Sequence, residues 1–331
     1  LLNIVLKCRN VYNGNLLGEE TNFRFKLITR GSKMISNEDI VRLQLVNGLG
    51  RKTISKILKF MEAKKVNLTN FSEVEKFIKD MGIKKINIDL EKVESDASAI
   101  FECCKKANIK IISIYDKEYP RKLQLIEDKP LILYVDGNVE LLNHDYNIAI
   151  VGTRTPSQEG YEISSIFAEK LAEEKCCVVS GFASGCDEAA HNGCLAAKGR
   201  TIAVIPAGHL YILKNNKSMY NMILMNGGTI VSELPPNAKA EKNAFIDRNR
   251  VIAALSEGII VIEGGLKGGT SHTVKFANAF NKPVAYTTSV CSCIGQTSIF
   301  NNNIEVIDSF EKLVKFKNKS CKIMLDKACS Q

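Results

Sequence analysis

From about Ile109 onward, short apolar runs recur between amphipathic stretches: "IKIISI", "LILYV", "NIAIV", "CCVVS", "TIAVIP", "GTIVS", "GIIVI" and "PVAYT". Several are apolar at every position rather than at every second one. A strand that alternates buries one face. A strand apolar throughout buries two, as a parallel strand does when helices cover both sides of its sheet. The intervening stretches carry helical periodicity: in "SQEGYEISSIFAEKLAEEK", Ile163, Ile166, Phe167 and Leu171 are expected on one face. Strand alternating with helix predicts an α/β fold with a Rossmann-like, doubly wound, mostly parallel sheet. Ligands of such sheets sit outside the carboxyl ends of the strands, so the loops just after each strand hold the candidate site.

The part before this pattern is different. From Asn37 to about Ser98 the chain reads as short, lysine-rich helices, with Ser36 or Asn37 as the first cap. Within it, "LQLVNGLGRKTISKILKF" has the form of a helix-hairpin-helix, or a SAM-like helical unit. In the first reading, Gly48 and Gly50 present bare amides to a phosphate, with Arg51 and Lys52 adding charge. In the plainer reading the glycines end one helix and connect to the next. Residues 1–33 do not share the pattern of the helices after them, and Met34 is a natural start, so they are expected to be an upstream extension. The expected division is 1–33 extension, 34–98 helical domain, 99–305 Rossmann-like domain and 306–331 C-terminal tail.

Composition narrows the class. At 331 residues, 45% hydrophobic and 24% charged, the chain has enough apolar material for a substantial core. Its net charge of +9 is compatible with a polyanionic partner without demonstrating one. The 11 cysteines include the neighbours Cys103 and Cys104, the neighbours Cys176 and Cys177, and Cys291 with Cys293, but no matched C-x-x-C pairs. They are expected to be reduced thiols rather than zinc ligands. No apolar run reaches membrane-spanning length, and "LLNIVLKCRN" has no cleavage pattern, so a cytoplasmic protein without a membrane partner is expected.

Four loops after strands carry the candidate chemistry. "NIAIV" leads into Gly152-Thr153-Arg154, where Arg154 can fork onto a phosphate or pair with a carboxylate, and Ser157 can cap the next helix. "CCVVS" leads into Ser180, Gly181 and Gly185, whose amides and hydroxyl can meet an anion at a helix start. Asp187 in that helix suits its dipole, and His191 reads as a packed histidine. "GTIVS" leads to Lys242, Phe245, Arg248 and Arg250, cations around one ring, which suits single-stranded nucleic acid. "GIIVI" leads into "EGGLKGGTSHTV", where Lys267 adds charge and Thr270 or Ser271 can cap. The glycine spacings fit neither a P-loop nor a dinucleotide fingerprint, so neither ATP hydrolysis nor dinucleotide binding is expected, and no cofactor is expected.

Taken in order, "IAIVGTRTPSQEG", "VVSGFASGCDEAAHNGCLAAKGRTIAVIPAG", "GGTIVSELPP" and "FIDRNRVIAALSEGIIVIEGGLKGGTSHTVKFA" resemble the DNA-processing protein A (Smf) family. The preceding "YPRKLQLIEDKPLILYVDGN" is similar to that family's lead-in to its sheet. The resemblance implies an extended Rossmann-like fold, no enzyme activity, and a homodimer. It also implies binding of single-stranded DNA during natural transformation and loading of the RecA recombinase. It carries the DNA pocket to Gly152, Thr153, Arg154, Ser180, Gly181, Gly185, Lys242 and Phe245, and to Arg248 and Arg250, either of which can brace the fold instead. Ile246 stands where the family usually has proline, "LYILKNN" lacks the usual Tyr-Pro, and "GGTSHT" replaces a common Ser-Gly-Ser. With Gln331 the last residue given, little room is expected for the winged-helix tail that some members of the family carry. The alternative is a nucleotide-binding or nucleotide-hydrolysing enzyme related to phosphoribohydrolases, but "GGLKGGTSHTV" lacks the glutamate of their G-G-x-G-T-x-x-E loop. A nucleotide sensor in defence signalling would need an effector domain that the sequence does not show.

Overall fold

The computed structural model describes residues 35–64, 71–83, 88–264, 268–288 and 305–329. Residues 1–34, including the expected upstream extension, lie outside the described residues. Ile35–Gln331 form one compact unit.

The chain enters with α1 (Asn37–Leu45). Ser36 is its cap: the Ser36 hydroxyl accepts from the Asp39 amide at 3.1 Å, and Asp39 accepts from the Ser36 amide at 2.8 Å. A turn through Gly48, whose φ of +89° favours glycine, leads into α2 (Arg51–Lys64). Then come α3 (Phe71–Asp80) and α4 (Leu90–Lys106). Ile40, Leu43, Ile57, Leu58 and Met61 pack with Leu131, Ile132 and Tyr134 in one cluster. The helical segment therefore shares its core with the sheet.

Nine strands form that sheet: β1 (Lys110–Ser113), β2 (Ile132–Gly137), β3 (Asn147–Val151), β4 (Cys177–Ser180), β5 (Thr201–Val204), β6 (Thr229–Ser232), β7 (Gly258–Val261), β8 (Val284–Thr287) and β9 (Glu305–Ile307). Their order is β1-β2-β6-β5-β4-β3-β7-β8-β9. β2 runs antiparallel to both β1 and β6, and from β6 to β9 every pairing is parallel. All eight apolar runs are strands. β9 was not among them: it is three residues at the sheet edge, with only Ile307 buried, and has no two-sided apolar signature.

Burial on two faces explains the runs. In β3, Ile148 and Ile150 meet one helical layer, while Ala149 and Val151 meet the other. The first layer contains α6 (Gln158–Glu173), α7 (Cys186–Ala196) and α12 (Phe310–Cys329), through Phe167, Leu171, Ala190, Leu313 and Phe316. The second contains α10 (Lys242–Leu255) and α11 (Gly269–Ala279). The described residues also form the short helices α5 (Arg121–Gln124), α8 (His209–Asn215) and α9 (Lys217–Met225). On α6, Phe167 and Leu171 are buried, but Ile166 is 43% exposed. A step of about 100° from Phe167 carries Ile166 past the edge of the buried stripe. The segment read as a tail contributes a strand and, through Leu313 and Phe316, core. Cys176 and Cys177 are buried free thiols. No described helix is long and apolar enough to cross a membrane.

Candidate nucleic-acid interface

The sheet order places a switch point between β3 and β7. β3 continues to β4 on one side, and β7 continues to β8 on the other. Loops that diverge at such a point leave a crevice at the strands' carboxyl ends. Here the crevice encloses about 300 Å³. Its wall after β3 is Gly152, Thr153 and Arg154, and Gly264 stands after β7. α10 supplies Phe245, Arg248 and Asn249, α7 supplies Asp187, and α11 supplies Thr270 and Thr273.

The glycines of this region accommodate the protein itself. A Cβ on Gly152 would lie 2.3 Å from the Cys186 sulfur and 2.9 Å from the Glu263 carbonyl. On Gly185, whose φ is +81°, it would meet the Thr153 and Arg154 backbone at 2.6 and 2.7 Å. The Thr153 amide donates to the Glu263 carbonyl at 2.7 Å, and the Thr153 carbonyl accepts from the Cys186 amide at 3.1 Å. The loops after β3 and β7 and the start of α7 are thereby stitched together. The Ser180 hydroxyl is buried and donates to the Ile150 carbonyl at 2.7 Å. Ser180, Gly181 and Gly185 are not among the residues that line the crevice: the Ser180 hydroxyl and the vacant sides of both glycines face other parts of the fold.

The basic residues divide in the same way. Arg248 is 8% exposed, and its Nη1 lies 3.5 Å from Oδ2 of Asp187, itself 5% exposed. Burial pushes the Asp187 carboxyl up, against the pull of Arg248. The pair forms the crevice floor and neutralises itself. Arg250, 2% exposed, binds Glu233 at 2.5 Å and faces away from the crevice. Two residues on a helix are about 200° apart, so the R-N-R arginines cannot share a face. Arg154 is exposed, has no ion pair among the described residues, and rests its guanidinium carbon 4.9 Å from the Phe245 ring centroid. Lys242 is exposed at the start of α10, one turn before Phe245. Lys267 lies outside the described residues.

Asn249 was not singled out by the sequence pattern. It lies between the two arginines, is 7% exposed, and donates from Nδ2 to the Gly269 carbonyl at 3.0 Å, tying α10 to the start of α11. Its position inside the R-N-R triplet was the available signal. Thr270 and Ser271, read as caps, fall inside α11: the N-cap is Gly268, whose carbonyl accepts from the Ser271 hydroxyl at 2.7 Å. Ser157 does cap α6, accepting from the Gly160 amide at 3.0 Å, and Glu263 accepts from the Ser157 hydroxyl at 2.9 Å. His191 is packed, with Nδ1 2.8 Å from the Thr201 hydroxyl.

In the helical hairpin, Gly48 and Gly50 have open space where a Cβ would stand, and Lys52 is exposed. Arg51 points inward. It chelates Asp128 with two bonds of 2.7 Å, binds Glu233 at 3.1 Å and reaches Asp247 at 3.5 Å. Those carboxylates draw it to the sheet, so it is a brace and not a free surface cation.

Residues 110–317 match the sequence profile of the family described as DNA recombination-mediator protein A. The chain belongs to this family. It is 35% identical over 184 residues to the DNA processing protein DprA of Bacillus subtilis, covering 55% of this chain and 61% of that protein. It is 37% identical over 166 residues to DprA of Streptococcus pneumoniae, covering 50% of this chain and 58% of that protein. The chain thus spans little more than half the length of either relative. Among solved structures, DNA processing protein A from Streptococcus pneumoniae superposes with a TM-score of 0.64 at 24% identity, covering 85% of this chain and 97% of that one. A structure reporting the single-stranded DNA binding mode of DNA processing protein A from Helicobacter pylori gives 0.55 at 25% identity, covering 65% and 98%. The profile match takes in every described strand and the described lining of the crevice, so the recombination-mediator family shares the part of the chain that builds the site.

Proposed function

We propose that the chain binds single-stranded DNA in the crevice between β3 and β7, and does so without chemistry. One observation carries this reading: an exposed Arg154, with no ion pair among the described residues, lies over the Phe245 ring at the mouth of the switch-point crevice. A guanidinium and an aromatic face together supply what a single strand offers contacts for, a phosphate and an unstacked base. Lys242 adds a second cation at the same helix end. Both neighbouring carboxylates are engaged, Asp187 by Arg248 and Glu263 by Ser157, which favours binding over nucleotide hydrolysis. Phosphates and ring faces carry little base identity, so sequence preference is weak.

The family's description as a recombination mediator supports a further role: the bound strand is passed to a recombinase of the RecA type during transformation, by a protein acting as a homodimer in the cytoplasm. The test is a titration of the purified chain with oligo-dT and with duplex of equal length at two salt concentrations. Tighter binding of oligo-dT, weakening steeply as salt rises, is expected. Equal affinity for both, or an affinity indifferent to salt, overturns the reading. Release of free base from AMP would replace it with the hydrolase.

A further inference from the structure

We propose that the outer face of α2 is a second contact surface for single-stranded DNA, formed by Lys52, Lys56, Lys59 and Lys129. The inference rests on the single-strand reading above and extends it from the crevice to the helical segment. The buried face of α2 fixes the rotation of the helix: Ile54, Ile57, Leu58 and Met61 are at most 1% exposed. At about 100° per residue, Lys52, Lys56 and Lys59 then cluster on the opposite side, and all three are exposed. Lys129, just before β2, lies near enough to Lys59 that burial and the Lys59 charge together pull its ammonium below the usual range. Its Nζ is steadied by the Gln124 carbonyl at 2.5 Å.

None of these four lysines has an ion pair among the described residues. Some other helix lysines do, such as Lys79 with Glu75 at 2.7 Å, Lys106 with Glu102 at 3.4 Å and Lys312 with Asp308 at 2.6 Å. Asp128, beside Lys129 in sequence, is engaged by Arg51. The Lys52 charge also reaches Asp128, whose carboxylate Arg51 already holds, so the stripe keeps an excess of positive charge; like charges crowded together disfavour the folded state, and a polyanion offsets that cost. The approach to the backbone is also open. The first turn of α2 contains no acidic residue, and the positive end of the helix dipole points into the Gly48–Gly50 turn, where nothing stands within 4 Å of either glycine's vacant side.

The stripe borders a groove that reaches the start of α10. Leu49, Arg51 and Ile54 line it together with Asn243, Ala244 and Asp247 of α10, and Arg51, next to Lys52, is 3.5 Å from Asp247. Phe245 and the crevice lie on the other side of α10, so a strand would pass from the crevice around the exposed Lys242 at the start of that helix to reach α2. That continuity favours one extended strand over a duplex as the occupant.

The test compares the intact chain with its Lys52→Gln, Lys56→Gln, Lys59→Gln, Lys129→Gln quadruple variant. The probes are a short oligo-dT that only fills the crevice, a long oligo-dT, and a duplex of the longer length. For the long strand, affinity at low salt is expected to fall at least tenfold. The slope of log K against log salt should lose about 2 to 3 units, roughly 0.7 per phosphate contact. Short-strand binding should be unchanged, and a quadruple Lys→Arg variant with the wild-type melting temperature should keep the full slope. An unchanged slope with the long strand overturns the proposal, and so does a loss confined to the duplex. Failure of the crevice reading shows separately, as short-strand binding that is absent or indifferent to Arg154→Ala.

Discussion

Gly181 and Arg248 share one small volume: a Cβ on the glycine would lie 1.2 Å from Nη1 of the arginine. Gly181→Ala therefore displaces the guanidinium from Asp187 and leaves two buried charges apart. Breaking a buried pair costs about 3 to 5 kcal/mol. The expected result is a lower urea midpoint for Gly181→Ala, with Arg248→Met in the same background adding little further loss. A midpoint equal to wild type would show that Arg248 has another resting place.

That relationship also marks the limit of what the sequence makes legible. The strands were legible because burial on both faces forces continuous apolar runs, as in "NIAIV". That Arg154 and Phe245 stand at one crevice was legible because the segments after parallel strands converge at the strands' carboxyl ends. The role of Gly181 was not, since a glycine signals only that something comes close. Here the close neighbour is Arg248, sixty-seven residues away in the chain. Arg51 misled for a similar reason: its carboxylate partners Asp128, Glu233 and Asp247 lie in three separate later segments.

Arg154→Ala and Phe245→Ala should each weaken oligo-dT binding about tenfold, within the ~1–3 kcal/mol attributed to one base stack. Neither should change the urea midpoint much, because both residues stand at the rim. Arg154 rests on the ring of Phe245, so the double variant should lose less than the sum of the two single losses. Fluorescence anisotropy over a complete double-mutant cycle measures this. Additive losses would mean that the two side chains act at separate points on the strand.

Arg51→Ala should loosen the helical segment from the sheet. Arg51 joins Asp128, Glu233 and Asp247, and Arg250 holds Glu233 from the other side. Removing Arg51 leaves Arg250 and the more distant Lys52 charge to offset those carboxylates, a loss of about 2 kcal/mol for charge-assisted bonds. Hydrogen exchange should accelerate in α1, α2 and α4 while the β3–β7 core keeps its protection. Short oligo-dT should bind as before. Uniform acceleration across the chain would mean that the helices and the sheet open only together.

Burial pushes the His191 imidazole down to about 3, with the Arg248 charge acting in the same direction. The unfolded chain takes up a proton at this position near pH 6.5, while the folded chain does not, so the unfolded state binds more protons below that pH. The His191 contribution to stability is therefore fully present above about pH 6.5 and is lost as pH falls toward 3. Buried carboxyls such as Asp187 and Glu233, pushed up by burial, move stability the opposite way with pH. The histidine is isolated by comparing wild type with His191→Gln, whose amide can still meet the Thr201 hydroxyl. The difference in unfolding free energy between the two should shift against wild type by about 1.4 kcal/mol for each pH unit below 6. A difference that stays constant from pH 7 to pH 5 would mean that His191 titrates normally and that water reaches it in the folded protein.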